Sequence, residues 1–288
     1  MIRDDLDQLR RLLHPEGGFT SEVITRHGRE VDRNGFVAAI VLRLLRHPPE
    51  MPAWSDIRER LLDWVWTCRS TSVPGAFGFW PDHTRPQWAS AVPADVDDTA
   101  IMLAELLRYR RLDRIEVLRS VCGTVVPYRV LDSDAATLPP WIVPGSFFTW
   151  ITPVTSARTR SINLVDCCVN ANVVALISLL DAKHLPGYDA AVQTVLNGIE
   201  WAGKDERRLS SITPFYPSVR SLVEAIEHAI ECGADGLRAG LTQLMSAPPE
   251  ILNADAGCCR SAYGKSVWHA PAIDVARSIA NQLVCERR

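Results

Sequence analysis

The sequence lacks the features that mark several large classes of protein. Its longest apolar runs, such as GFVAAIVL, fall well short of the roughly 20 residues that cross a bilayer. No excess of positive charge favours nucleic acid, since the formal net charge is -3. The first residues, MIRDDLDQLRRLLHPEGG, are too charged for a secretory signal. We therefore predict a soluble cytoplasmic protein with no membrane span and no nucleic-acid partner.

Familiar catalytic and metal-binding motifs are also missing. The 8 cysteines show no CxxC spacing, and in a reducing compartment most of them are expected to be small core residues. No GxSxG, HExxH, P-loop or dinucleotide fingerprint occurs. Several common enzyme classes are thereby excluded, and the sequence predicts no cofactor.

The sequence instead contains a succession of helices within one domain, residues 1–288. Apolar residues recur at helical spacing, and alternating runs long enough for strands are nearly absent. With 47% hydrophobic residues, the chain can bury one large core. Candidate helices are 4–13, 34–46, 54–69, 97–109, 113–121, 166–182, 189–202, 217–232, 234–245 and 271–286.

Two kinds of helix alternate along the chain. Five begin with a polar or aromatic cluster and become largely apolar, and the helices between them are amphipathic. This pattern predicts an all-α fold, an α/α toroid in which outer helices shield a ring of parallel inner helices. The pattern does not decide whether the ring of helices closes, and an open helical solenoid is the alternative. The toroid would gather seven side chains at one mouth: Asp97, Asp166, Asn170, Tyr216, Arg220, Trp268 and His269.

The most distinctive stretch is PADVDDTA, which places Asp95, Asp97 and Asp98 directly before the apolar run IMLAELL. Helix capping accounts for Asp95, and Asp98 holds the position of a capping-box acid. Capping leaves Asp97 unexplained. Three carboxylates this close cannot all ionise cheaply in a poorly solvated site, so the pKa of at least one should rise. A carboxylic acid kept protonated can act as a general acid.

The sequence DVDDTA resembles the DxDD motif of squalene-hopene cyclases and other class II terpene cyclases, whose fold is an α/α toroid. Upstream, LLDWVWTCRSTSVPGAFGFWPD is similar to their structural repeat, so the resemblance covers 54–110. It implies that Asp97 protonates an alkene or epoxide, while Asp95 and Asp98 tune its acidity. The chain would be a reduced relative without the usual second helical domain. Aromatic residues that could line a pocket are Trp80, Trp88, Trp141, Phe147, Phe148, Trp150, Tyr216 and Trp268.

Further polar residues lie at the starts of other inner helices. In LVDCCVNANVVAL, Asp166, Asn170 and Asn172 either bond the local backbone or face a cavity. Arg220, within an apolar helix, could pair with the acids or hold a diphosphate or sulfate. His269 is either a loop histidine or a catalytic base.

Two other groups have competing interpretations. Asp166, Cys168 and the distant His269 resemble the zinc ligands of protein prenyltransferase β subunits, although Cys168 can equally be a core residue. Arg158 and Arg160 either add to an anion site or lie in a solvated loop.

Three functions fit these observations. The first is a ring-forming enzyme of specialised metabolism, started by Asp97 as general acid. The second uses the acids as a base, so that an amine or hydroxyl displaces an anionic leaving group held by Arg220. The third is a non-catalytic protein that binds a small molecule or a protein. A small-molecule substrate is expected, and transient lipid contact, a small protein partner or a homodimer stays open.

Overall fold

The computed structural model describes residues 2–46, 51–89, 92–151, 163–248, 250 and 257–286. Arg158 and Arg160, considered above for an anion site, lie outside the described residues. No helix in these ranges is both long enough and apolar enough to cross a membrane. The α-helices are α1 (Ile2–Leu12), α2 (Gly35–Leu44), α3 (Pro52–Thr67), α4 (Val96–Arg108), α5 (Arg114–Ser120), α6 (Cys167–Leu179), α7 (Tyr188–Ala202), α8 (Glu206–Ile212), α9 (Val219–Glu231), α10 (Arg238–Met245) and α11 (Pro271–Glu286).

Buried and half-exposed helices alternate along the chain, as the sequence predicted. Every residue of α6 from Cys167 to Ser178 is buried, whereas α3 and α7 bury only one face. The inner helices α11, α2, α4, α6 and α9 pack side by side in that order. The outer helices α1, α3, α5, α7 and α10 pack against them. Because an all-apolar helix needs neighbours on every side, this arrangement confirms the predicted α/α toroid.

The two ends of the inner row are joined by an ion pair. Arg277 of α11 donates two hydrogen bonds to Glu224 of α9, at 2.7 and 2.9 Å. Both side chains are largely buried, at 15% and 13% exposed. This pair is a polar connection between the first and the last helix of the inner row.

The inner helices begin at one end of the ring. Asp97, in the first turn of α4, accepts hydrogen bonds from Asn172 of α6 and from Tyr216, which precedes α9. Four of these starts have a side-chain cap that accepts a backbone N–H of the first turn. The caps are Asn34 for α2, Asp95 for α4, Asp166 for α6 and Ser218 for α9.

A small antiparallel sheet was not predicted. Its strands are β1 (Phe19–Thr25), β2 (Gly28–Asn34), β3 (Cys259–Arg260) and β4 (Ser266–His269), in the order β2-β1-β4-β3. Asn34 ends β2 and caps α2, so the sheet adjoins the end where the inner helices begin. Trp268 and His269 therefore lie in a strand before α11, and not at the first turn of a helix.

Candidate active site

A cavity of about 410 Å³ lies at the end of the ring where the inner helices start. Pockets for small molecules are typically concave, largely apolar and lined by a few polar groups. Here the polar groups include all three acids of the DVDDTA stretch, Asp95, Asp97 and Asp98. The aromatic lining consists of Phe36, Phe79, Trp80, Trp88, Trp150, Phe215, Tyr216 and Trp268.

Five of the eight aromatic residues proposed from the sequence line this cavity: Trp80, Trp88, Trp150, Tyr216 and Trp268. The other three, Trp141, Phe147 and Phe148, are buried elsewhere. Sequence reasoning missed Phe36, Phe79 and Phe215. Phe36 could have been found, because it lies in the first turn of an inner helix, as Asp97 and Asp98 do.

Asp97 is held by two hydrogen-bond donors. Its Oδ1 accepts from Asn172 Nδ2 at 2.7 Å, and its Oδ2 accepts from the hydroxyl of Tyr216. Burial raises the pKa of Asp97 above its ordinary value; the two donors and the charge of Arg43 oppose the shift without cancelling it. The proton therefore stays on Asp97 at a pH where an exposed aspartate has lost it. Once the proton leaves, the same donors stabilise the carboxylate.

Arg43 also acts on Asp97 indirectly, through a hydrogen bond to Asn172. The guanidinium NH1 donates to Asn172 Oδ1 at 2.9 Å, and Arg43 is only 4% exposed. These contacts fix the orientation of the Asn172 amide, so that its NH₂ group points to Asp97. Sequence reasoning missed Arg43, although a single arginine in the apolar helix GFVAAIVLRL was a usable signal.

Asp95 and Asp98 form an acid pair beside Asp97. Asp95 Oδ1 accepts the backbone N–H of Asp98 at 2.6 Å, and burial is the largest influence that raises the pKa of Asp95 to about 7. Asp98 Oδ2 is buried and has no hydrogen-bond partner among the described residues. Burial, and then the charge of Asp95, raise the pKa of Asp98 well above its ordinary value. Asp98 therefore holds a proton next to Asp95.

Replacing Asp98 by asparagine is expected to raise the free energy of unfolding by about 1–3 kcal/mol at pH 8. The folded protein keeps Asp98 protonated, whereas the unfolded chain releases that proton above its ordinary pKa. The free energy of unfolding therefore decreases as pH rises, and a neutral amide at position 98 abolishes this decrease. Urea unfolding should show a gain at pH 8 and little change at pH 4. The exposed Asp56→Asn is the control, and a destabilised Asp98→Asn at pH 8 would contradict the assignment.

Asp166 and Asn170 bind backbone groups and do not line the cavity. Asp166 Oδ1 caps α6, and its Oδ2 accepts the N–H of Phe215 at 3.0 Å. Asn170 accepts from the N–H of Phe147 at 2.9 Å and donates to its carbonyl at 3.1 Å. Of the two interpretations given above, local backbone bonding fits both residues. They fix the loops that lead to Trp150 and Tyr216.

Arg220 and His269 also lie away from the cavity lining. Arg220 forms an ion pair with Glu224 one turn along α9, at 3.0 Å, and its side chain is 38% exposed. His269 pairs with Glu22 across β4 and β1. The expectation that both face the mouth is therefore not met. The cations that do line the cavity are Arg260 and Lys265.

Asp166, Cys168 and His269 do not assemble into a metal site. The carboxylate of Asp166 is occupied by backbone amides, and His269 belongs to the sheet. Cys168 is completely buried, and burial raises the pKa of its thiol well above the usual range. Zinc binds the thiolate form. Within the described ranges, no group of three or more His, Cys, Asp or Glu could hold a metal ion.

No protein-family model matches the sequence, and no curated protein matches it. Among solved structures, a protein from Actinoplanes is similar at a TM-score of 0.56 and 14% identity, over 100% of this chain and 80% of that chain. A variant of a type II terpene cyclase from Scytonema, in complex with its product merosterolic acid A, is similar at a TM-score of 0.46 and 12% identity, over 98% and 96% of the two chains. The first likeness shows a shared fold and nothing about chemistry.

Proposed function

We propose that the chain is a ring-forming enzyme of specialised metabolism, similar to class II terpene cyclases, in which Asp97 is the general acid. The substrate class is an isoprenoid chain or its terminal epoxide. One observation carries the proposal: a buried carboxyl with a raised pKa lies on a cavity lined by eight aromatic residues. Such a cavity suits a reaction that begins with proton transfer to an apolar molecule.

The first step would transfer the proton of Asp97 to the terminal alkene carbon, or to the epoxide oxygen. The next double bond supplies the electron pair for the new carbon–carbon bond, and positive charge moves along the chain. Loss of a proton from carbon to solvent ends the sequence, and solvent returns a proton to the carboxylate of Asp97, so an alkene substrate gives a cyclic isomer. Tyr216 and Asn172 assist because they donate to the carboxylate that forms on Asp97.

The aromatic lining would serve the steps that follow protonation. Indole and phenyl faces attract positive charge, so they lower the energy of a carbocation without offering it a nucleophile. An apolar cavity also keeps water away from the cation until the rings have closed. The shared proton of Asp95 and Asp98 limits the number of carboxylates nearby that could trap the cation.

One observation favours a second candidate, in which Asp97 is a base. The two donors and the buried Arg43 behind them stabilise a carboxylate. Asp97 would then deprotonate an amine or hydroxyl that displaces an anionic leaving group. Arg220 is not among the residues that line the cavity, so the departing charge would have to meet Lys265 or Arg260.

The pH dependence of turnover separates the two candidates. The purified protein would be incubated with neutral polyprenes, terminal epoxides and prenyl diphosphates, and kcat measured from pH 5 to pH 9 for whichever substrate reacts. A general acid must be protonated, so kcat should fall as pH rises through the raised pKa of Asp97. A general base would give the opposite slope, and that result would reject the acid role.

A further inference from the structure

One buried carboxylate next to the cavity has no part in the proton transfer described above. Asp32 lies on β2 and is 6% exposed. Its Oδ2 accepts the indole N–H of Trp80 at 2.7 Å and the indole N–H of Trp268 at 2.9 Å. Its Oδ1 accepts from Asn34 Nδ2 at 3.2 Å. A single oxygen thus orients two tryptophans that are far apart in sequence.

These two indoles and Trp88 form a continuous surface that we call the tryptophan wall. The ring centroids of Trp80 and Trp88 are 5.8 Å apart, those of Trp88 and Trp268 are 6.2 Å apart, and those of Trp80 and Trp268 are 6.4 Å apart. Phe79 packs edge-on against Trp80 and Trp268, at 4.5 and 5.5 Å. All four side chains line the cavity. Trp88 is 48% exposed, whereas Trp80 and Trp268 are 3% and 6% exposed, so a ligand reaches the wall chiefly from the side of Trp88.

The carboxylate changes what the wall can attract. An indole whose N–H is bonded to an anion has a more electron-rich face, because the hydrogen bond polarises the ring. Burial raises the pKa of Asp32, and the hydrogen bonds from Trp268, Trp80 and Asn34 oppose that shift because they favour the ionised form. In that form the negative charge lies at the N–H edge of both indole rings, in a region of low dielectric. Both effects strengthen the attraction for a cation over the ring face. Neither effect acts on a neutral apolar group of the same shape.

We propose that the tryptophan wall is a binding subsite for a bulky, weakly hydrated cation, and that Asp32 is the positioning residue that gives the subsite its preference for positive charge. A quaternary ammonium group is the stable ligand of this class. The corresponding reactive species is a tertiary carbocation, and that part of the inference rests on the proposed function. Binding of the ammonium group requires only the wall and Asp32.

The test uses two ligands of nearly equal shape, choline and its neutral carbon analogue 3,3-dimethylbutan-1-ol. Their dissociation constants would be measured on the full chain by tryptophan fluorescence and calorimetry. Choline should bind about tenfold more tightly, which is the size of a desolvated cation–π preference. Equal affinities for the two ligands in the wild-type protein would overturn the proposal.

The Asp32→Asn variant tests the charge with little change in geometry. Both indole N–H groups bond the same oxygen, and the amide carbonyl can still accept both. The new NH₂ group takes the place of Oδ1 and cannot accept from Asn34 Nδ2, so that one hydrogen bond is lost. The choline preference should fall about five- to tenfold, while the affinity for the neutral analogue stays the same. The exposed Asp56→Asn is the control and should keep the preference. An unchanged preference in a folded Asp32→Asn variant would refute the role of Asp32.

If Asp32→Asn does not fold, a second variant tests whether the tryptophan wall binds the cation. Trp88 is 48% exposed, so Trp88→Leu should fold normally. It should weaken choline binding several-fold more than binding of the neutral analogue, and an equal loss for both would contradict the wall. The proposed function can fail separately. If the protein prefers choline but forms no rings from any substrate, the cation subsite is supported and the cyclase function is rejected.

Discussion

Replacing Asp97 by asparagine is expected to lower kcat for ring formation by about 10³-fold or more, with intact helical circular dichroism. The amide has nearly the same shape: its oxygen can still accept from Asn172, and its NH₂ group can donate to the hydroxyl oxygen of Tyr216. It has no acidic proton to deliver. General acids typically contribute about 10² to 10⁴ in rate. No nearby donor replaces Asp97, since the proton of Asp98 is held in the acid pair.

The matched variant is Asp98→Asn, which makes the same replacement of one carboxyl oxygen by an NH₂ group in a neighbouring buried acid. Because Asp98 is proposed to tune Asp97 and not to deliver the proton, kcat should fall by no more than about tenfold. A reversed order, with an active Asp97→Asn and an inactive Asp98→Asn, would assign the proton to Asp98. Full activity in Asp97→Asn would end the proposal that Asp97 starts the reaction.

The second large effect is expected at Arg43. Changing Arg43 to methionine should lower the free energy of unfolding by about 1–3 kcal/mol, the usual cost of leaving a buried polar atom, here Asn172 Oδ1, without its hydrogen-bond donor. Glu105 of α4, which is completely buried, also loses the nearby charge of Arg43, while its ion-pair partner Arg108 stays at 3.4 Å. Burial raises the pKa of Glu105, and both cations oppose that shift. Urea unfolding at pH 8 measures the change. Loss of the bond to Asn172 should also lower kcat, because the donor to Asp97 is then less well oriented.

A double-mutant cycle isolates the electrostatic part of this effect. With Glu105→Gln already in place, residue 105 carries no carboxylate, so Arg43→Met no longer removes a nearby cation from a buried negative charge. The double variant should therefore be at least about 1 kcal/mol more stable than the sum of the single changes predicts. Additivity within about 0.5 kcal/mol would contradict the coupling of these two buried charges.

The alternation of inner and outer helices could be predicted, because the distribution of apolar residues around each helix is visible in its own short stretch of sequence. A helix such as α6 is apolar on every side, so it must lie between other helices wherever the chain takes it. The helix predicted at 271–286 has the bounds of α11. The same patterns predicted that the inner helices start together, which brings Asp97, Asn172 and Tyr216 into contact.

The sheet could not be predicted, because its pairing is long-range and its pattern is weak. Strand β2, GREVDRN, is mostly exposed and has no alternating apolar residues. Strand β4 has only 4 residues, and it pairs with β1 from the other end of the chain. Asp32 therefore had no visible role in the sequence, since its partners Trp80 and Trp268 are identified only by the fold.

The contacts of individual polar residues were the hardest part of the site to foresee. Asn170 and Asn172 are two residues apart in one apolar helix, yet one bonds a loop backbone and the other bonds Asp97. Arg43 and Arg220 each stand in an inner helix, yet only Arg43 is buried. A difference in helical face decides each case, and that face depends on neighbours far away in the sequence.

The most direct test of the central claim is the fate of the proton itself. Ring formation from a neutral polyprene would be run in D₂O, where the carboxyl of Asp97 carries deuterium, and the product analysed by mass spectrometry and NMR. The account predicts one carbon-bound deuterium per product molecule, at the former terminal alkene carbon. A cyclic product without carbon-bound deuterium would contradict it.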